Sequence, residues 1–170
     1  MNNILYSFLY AWAKLHGVLP MRILYILSDL FYIIIYKLVG YRLKVVRKNM
    51  KKSFPDKSAE ELKKLEQEFY HHFCDYVVET LKLSHISLEE VQRRAYLSNP
   101  ELVDDLMEKG HTTFILLMGH YGNWEWFSAS SSRFKSARVY QIYRPLTNLA
   151  FDRLFVYLRT RFGSLGRSEE

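Results

Sequence analysis

The chain has 170 residues, 49% of them hydrophobic and 16% aromatic, enough apolar side chain for one domain with a real core and too much for a disordered chain. Its formal net charge of +6 and pI of about 9.3 point to an anionic partner, either nucleic acid or a phospholipid surface. The single cysteine, Cys74, excludes an intramolecular disulfide and implies no oxidising compartment.

Residues 1–40 are apolar with few charges. Ile4, Leu5, Phe8, Leu9, Trp12 and Leu15 recur at helical spacing and predict an amphipathic helix, which Gly17 and Pro20 interrupt. The next run, Ile23 to Val39, has 17 residues, at the short limit for crossing a bilayer. Asp29 lies inside it and makes crossing costly, by about 2.5–3.5 kcal/mol near a helix centre. Three arrangements stay open: crossing the bilayer, lying along its surface, or packing as a hairpin with the first helix. Met1-Asn2-Asn3 has no basic side chain and no small-x-small site follows, so a cleaved signal peptide is not expected.

Residues 41–52 then carry six basic side chains, Arg42, Lys44, Arg47, Lys48, Lys51 and Lys52, and no acidic one. Beside an apolar anchor, such a cluster attracts anionic lipid at about 1 kcal/mol per basic side chain and holds this end on the cytoplasmic side. The alternative is a solvated helix face. Nucleic acid is not the expected partner, because no nucleic-acid motif is present and the basic stripe abuts an apolar segment.

Ser53 to Ser58 is a break, and Ser58-Ala59-Glu60-Glu61 has the spacing of a capping box. The helix it opens is predicted to run to about Leu83, with Leu62, Leu65, Phe69, Phe73, Tyr76, Val77 and Leu81 as its buried stripe. His71, His72 and Cys74 lie on it. The two histidines are adjacent and point apart, and no second spaced ligand pair exists, so no metal site is expected and Cys74 reads as a buried thiol. Glu79 is kept as a polar contact to a neighbouring element. Ser87-Leu88-Glu89-Glu90 begins a short helix or turn. Pro100 opens another helix, Glu101 to Glu108, with Asn99 as N-cap and Lys109-Gly110 as its end.

Thr112 to Met118 is a continuous apolar run with Gly110 before it and Gly119 after it. It is too short for a typical core helix and predicts a strand buried on both faces, as in a parallel α/β sheet. Gly119-His120-Tyr121-Gly122-Asn123-Trp124-Glu125 follows, with Asn123 able to cap a helix from Trp124. This sets His120 at the end of a strand, where α/β sheets hold ligands, with Glu125 on the next helical turn. Such a pair suits acyl transfer to a hydroxyl: the imidazole removes the proton and the carboxylate fixes its tautomer. Ser128, Ser130, Ser131 and Ser132 lack a Gly-x-Ser-x-Gly elbow, so no serine nucleophile is expected. On spacing alone a structural histidine explains the pair as well.

The string His120 to Glu125 resembles the His-x4-Asp/Glu motif of the lipid A biosynthesis acyltransferases. Val139 to Asn148 resembles the family's Tyr-Arg-Pro segment after the next strand, with Tyr143, Arg144 and Pro145 in those places. Phe151 to Leu154, Arg159 to Gly163 and Tyr41 to Pro55 continue the likeness, which reaches to about Gly163. The resemblance implies an α/β fold: membrane-associated N-terminal helices over residues 1–52, then the first part of a glycerolipid-acyltransferase-like sandwich over 53–170. It implies an acyl-carrier-protein thioester as donor, a lipid A precursor or other glycolipid hydroxyl as acceptor, and no cofactor. It places the chain on the cytoplasmic face of the bacterial inner membrane. His120 would be the general base and Glu125 its partner. Arg144 is read either as a clamp for an acceptor phosphate or as a salt bridge closing the sheet edge. Tyr143 and Asn123 flank the substrate site and fit a structural role.

The tail from Ser164 to Glu170 departs from the family pattern, in which further strands follow. A truncated chain of low or no activity is therefore expected. A competing reading is a non-catalytic binding module at the membrane surface. A metal-dependent hydrolase would need more ligands than His120, Glu125 and the distant His111 provide.

Overall fold

A computed structural model of the chain describes residues 2–134 and 137–168. Glu169 and Glu170, at the end of the divergent tail, lie outside the described residues. Two compact units are present: Leu19–Glu79, and Met1–Val18 together with Thr80–Glu170.

In the first of these units Pro20 sets φ at −58° just before helix α2, Met21–Tyr32, as proline does at a helix start. α2 runs into a π-helical stretch, Ile33–Val39, which Gly40 ends in the left-handed conformation at φ 64°. Helix α3, Leu43–Ser53, and the long helix α4, Ala59–Lys82, follow. No single helix among the described residues is long and apolar enough to cross a membrane. Met21–Val39 with Leu43–Ser53 meets the length and composition only as a pair bent by 96°.

The capping box forms as the spacing requires. The Ser58 amide donates to Glu61 Oε2 at 2.8 Å, and the Glu61 amide donates to Ser58 Oγ at 3.2 Å. The buried stripe of α4 is displaced by one position from the expected one. Glu66, Tyr70, Cys74 and Val78 are buried, whereas Phe69 is exposed and Leu62, Leu65, Phe73, Tyr76 and Val77 are half-buried; at the helix end Leu81 is buried as expected. The reason is the partner surface. Met21 and Leu24 of α2 pack on Val78, and Tyr32 and Tyr36 pack with Tyr70 and Cys74. A polar seam completes it: Ser28 Oγ donates to Asp75 Oδ1 at 2.6 Å and Tyr36 Oη to Glu66 Oε1 at 2.7 Å. Tyr25 Oη donates to Glu79 at 2.8 Å, so Glu79 contacts a neighbouring helix at an exposed position.

In the other unit helix α1, Asn2–Val18, is not interrupted at Gly17. A Cβ on Gly17 would lie 2.4 Å from Ser84 Oγ, so glycine serves a close approach rather than a break. Leu9 and Ala13 are buried, while Ile4, Phe8 and Leu15 of the helix's apolar positions face outward. The end of α1 and the turn after α4 are tied by side chains that satisfy their carbonyls. Lys82 Nζ donates to the Gly17 carbonyl at 2.7 Å and Lys14 Nζ to that of Ser84 at 2.9 Å. Arg161 donates to the Leu83 and Ile86 carbonyls at 2.6 and 2.7 Å.

Helix α5, Leu88–Arg94, is capped by Ser87 as its sequence suggests. Helix α6, Glu101–Glu108, has Pro100 rather than Asn99 at the cap position, without a side-chain capping bond. A 3₁₀ helix, Trp124–Arg133, leads to strand β1, Tyr140–Tyr143. Helix α7, Leu149–Thr160, is capped by Asn148 and buries Ala150, Leu154 and Leu158; strand β2, Leu165–Ser168, ends the described chain. β1 and β2 pair in parallel, Tyr140 opposite Leu165 and Tyr143 opposite Ser168, with α7 as the crossover.

Among its described residues the chain is mostly helical, with the α/β character confined to one two-stranded parallel sheet and its crossover helix α7. The run 112–118 is not a strand and not buried: Ile115 and Leu117 are 86% and 88% exposed. A strand buried on both faces needs a hydrogen-bonded neighbour on each side and a layer over each face, and the two-stranded sheet offers this run neither.

Candidate functional site

Gly122, at φ 60°, turns the chain between the irregular run 111–121 and the 3₁₀ helix. The helix begins at Trp124 as the sequence suggests, but it is 3₁₀ and Asn123 gives it no side-chain cap. Asn123 Oδ1 accepts from Thr80 Oγ1 at 3.5 Å.

Glu125, on the first turn of this helix, is buried and held by Arg159 of α7. Arg159 Nε donates to Oε2 at 2.7 Å and Nη2 to Oε1 at 2.6 Å. The fork is the bidentate guanidinium–carboxylate geometry, strong because both groups are charged and little water reaches the carboxylate. The rings of Tyr143 and Phe155 lie 5.5 and 5.3 Å from the guanidinium carbon and line the bridge with aromatic faces. Tyr143 therefore joins the site from the end of β1, and Arg144 directly after it is exposed.

His120 is exposed, and its ring meets Trp124 edge-on with centroids 4.7 Å apart. Glu125 thus meets Arg159, and His120 meets Trp124. Among the described residues no hydrogen bond joins the His120 imidazole to the Glu125 carboxylate. Glu125, Tyr143 and Arg159 gather around one ion pair; His120 and Arg144 lie on the exposed surface of the same unit.

Arg159 is the residue that sequence reasoning missed. Its partner is 34 positions away, beyond any helical or strand spacing. The one local signal is its place in α7, directly after buried Leu158 and four residues after Phe155, on the edge of the buried stripe.

Two other groups bear on chemistry. Burial, with Asp75 beside it, pushes the Cys74 thiol up to about 11, which removes a thiolate nucleophile at neutral pH. Burial pulls the Lys82 ammonium below its ordinary value while Gly17 keeps it hydrogen-bonded.

The family model for bacterial lipid A biosynthesis acyltransferases matches residues 2–165, nearly the whole chain and all of the groups just described. No curated protein and no solved structure matches the chain.

Proposed function

Since this chain belongs to the bacterial lipid A biosynthesis acyltransferase family, we propose that it transfers a fatty acyl group from an acyl-carrier-protein thioester to a hydroxyl of a lipid A precursor or related glycolipid. The observation that carries this reading is the extent of the family match, which includes the turn from Gly119 to Glu125 and the pair Tyr143-Arg144.

In this reading His120 takes the proton of the acceptor hydroxyl as its oxygen attacks the thioester carbonyl. The tetrahedral intermediate collapses with loss of the carrier thiolate, which recovers the proton from the imidazolium. The exposure of His120 suits a base that must meet a bulky lipid from solvent. Glu125 supports the imidazolium. Arg159 is then the residue that positions Glu125. Arg144, exposed directly after β1, offers a fork for an acceptor phosphate, and Tyr143 and Asn123 join it in substrate binding in this reading. No cofactor enters the scheme.

Residues 1–52 serve membrane association in this scheme and 53–170 the transfer. The chain works on the cytoplasmic face of the inner membrane, where an acyl-carrier protein is available. The outward Ile4, Phe8 and Leu15 of α1 support a lipid-facing helix. The test is direct: the chain is incubated with acyl-loaded carrier protein and a lipid A precursor in mixed micelles, and the lipid is weighed by mass spectrometry. A mass gain of one acyl group is expected. An unchanged lipid, with carrier protein still loaded, would favour the non-catalytic surface protein.

A further inference from the structure

We propose that α2 and the π-helical stretch lie in the plane of an anionic phospholipid surface, outer apolar stripe down, with the basic side chains of α3 on the headgroup phosphates. This deepens the membrane assignment above and does not depend on the transfer chemistry.

α2 and its continuation carry two apolar faces. One, Met21, Leu24 and Tyr32, is buried within its unit. The other recurs at three-to-four spacing as Ile23, Ile26, Leu30 and Ile33, continues to Leu38 five residues on in the π-helical stretch, and is exposed, Ile26 by 67% and Leu38 by 75%. A continuous helical stripe of branched aliphatic side chains is not a surface that a water-soluble chain leaves open without a partner. Tyr41 is exposed at the C-terminal end of this stretch, the side chain suited to a headgroup boundary.

The charge next to the stripe identifies the partner. α3 contains no acidic residue, and Arg42, Lys44, Lys48, Lys51 and Lys52 are all exposed. Leu43 and Val46 pack inward on the tyrosine cluster, so the cations project from a fixed helix. A second copy covering the stripe would bring two such basic helices together, whereas anionic headgroups neutralise them.

The inner face decides between lying flat and crossing. It is fastened to α4 by Tyr25 to Glu79, Ser28 to Asp75 and Tyr36 to Glu66. A crossing α2 would either break these bonds or carry three carboxylates of α4 into hydrocarbon.

The test uses the full chain and vesicles of phosphatidylcholine with or without phosphatidylglycerol. Flotation is expected to show binding that requires phosphatidylglycerol. Lys48→Ala/Lys51→Ala/Lys52→Ala is expected to weaken binding about 100-fold, or about fivefold per charge, the equivalent of about 1 kcal/mol each. Ile26→Ser/Leu30→Ser/Leu38→Ser is expected to weaken binding in a way that added salt does not mimic. All six positions are exposed, and circular dichroism checks that the variants stay folded. For depth, Leu30→Cys is labelled with a fluorophore, since native Cys74 is buried. Lipids brominated near the headgroup are expected to quench it more than lipids brominated near the chain ends. Stronger quenching from the chain ends overturns the in-plane arrangement in favour of crossing. Binding to neither vesicle, or a dimer that the Ile26, Leu30 and Leu38 substitutions dissolve, overturns the lipid surface as partner.

Discussion

Glu66→Gln removes a buried charge that three groups hold. The Glu66 side chain is 3% exposed and accepts from Arg47 Nε at 2.6 Å, Tyr36 Oη at 2.7 Å and Lys63 Nζ at 2.8 Å. Burial alone would raise its pKa, but the bonds from Arg47, Lys63 and Tyr36 outweigh it and bring the carboxyl from 4.5 down to about 2. At about 1.4 kcal/mol per pH unit this corresponds to about 3 kcal/mol. Arg47 and Lys63 are each about half exposed, so solvent screening reduces the expected stabilisation to about 2 kcal/mol. Because the folded value lies below the unfolded one, the stabilisation is complete above pH 4.5 and disappears as pH falls toward 2. Urea unfolding of the wild type and the variant, followed by circular dichroism from pH 7 to pH 2.5, measures it. The wild type is expected to be about 2 kcal/mol more stable at pH 7, with the gap closing through the acid range. A gap that stays constant across that range would refute the reasoning.

Two further outcomes follow from contacts in the other unit. Arg159→Met leaves the Glu125 carboxylate buried without its guanidinium and is expected to cost about 3 kcal/mol, read by thermal unfolding; Arg159→Met/Glu125→Leu is expected to recover much of it. Gly17→Ala drives a Cβ against Ser84 Oγ and His85 and is expected to cost about 1–3 kcal/mol, whereas Gly17→Ala/Ser84→Gly is expected to cost less.

What the sequence disclosed was local. Ser58 and Glu61 form their capping bonds because both partners lie within one turn, and Ser87 caps α5 for the same reason. The burial of Cys74 was legible from its place on an amphipathic helix. The long-range part was not legible. The exact face of α4 depended on which residues of α2 it meets, and Glu66 was hidden among apolar expectations because its burial needs Arg47, Lys63 and Tyr36 at once. Thr112 to Met118 has the composition of a buried strand, but composition does not supply neighbours, and the run is irregular and exposed. At the candidate site the motif from His120 to Glu125 was visible as a string, while the guanidinium that grips Glu125 comes from a helix the sequence reading did not identify.

The most direct measurement is single-turnover acyl transfer by wild type and His120→Ala, with loaded carrier protein and a lipid A precursor. His120 is exposed, so its replacement should leave the thermal unfolding midpoint unchanged. The account predicts transfer slowed by about 10²–10⁴-fold. Transfer at the wild-type rate, in a variant that folds normally, would contradict it.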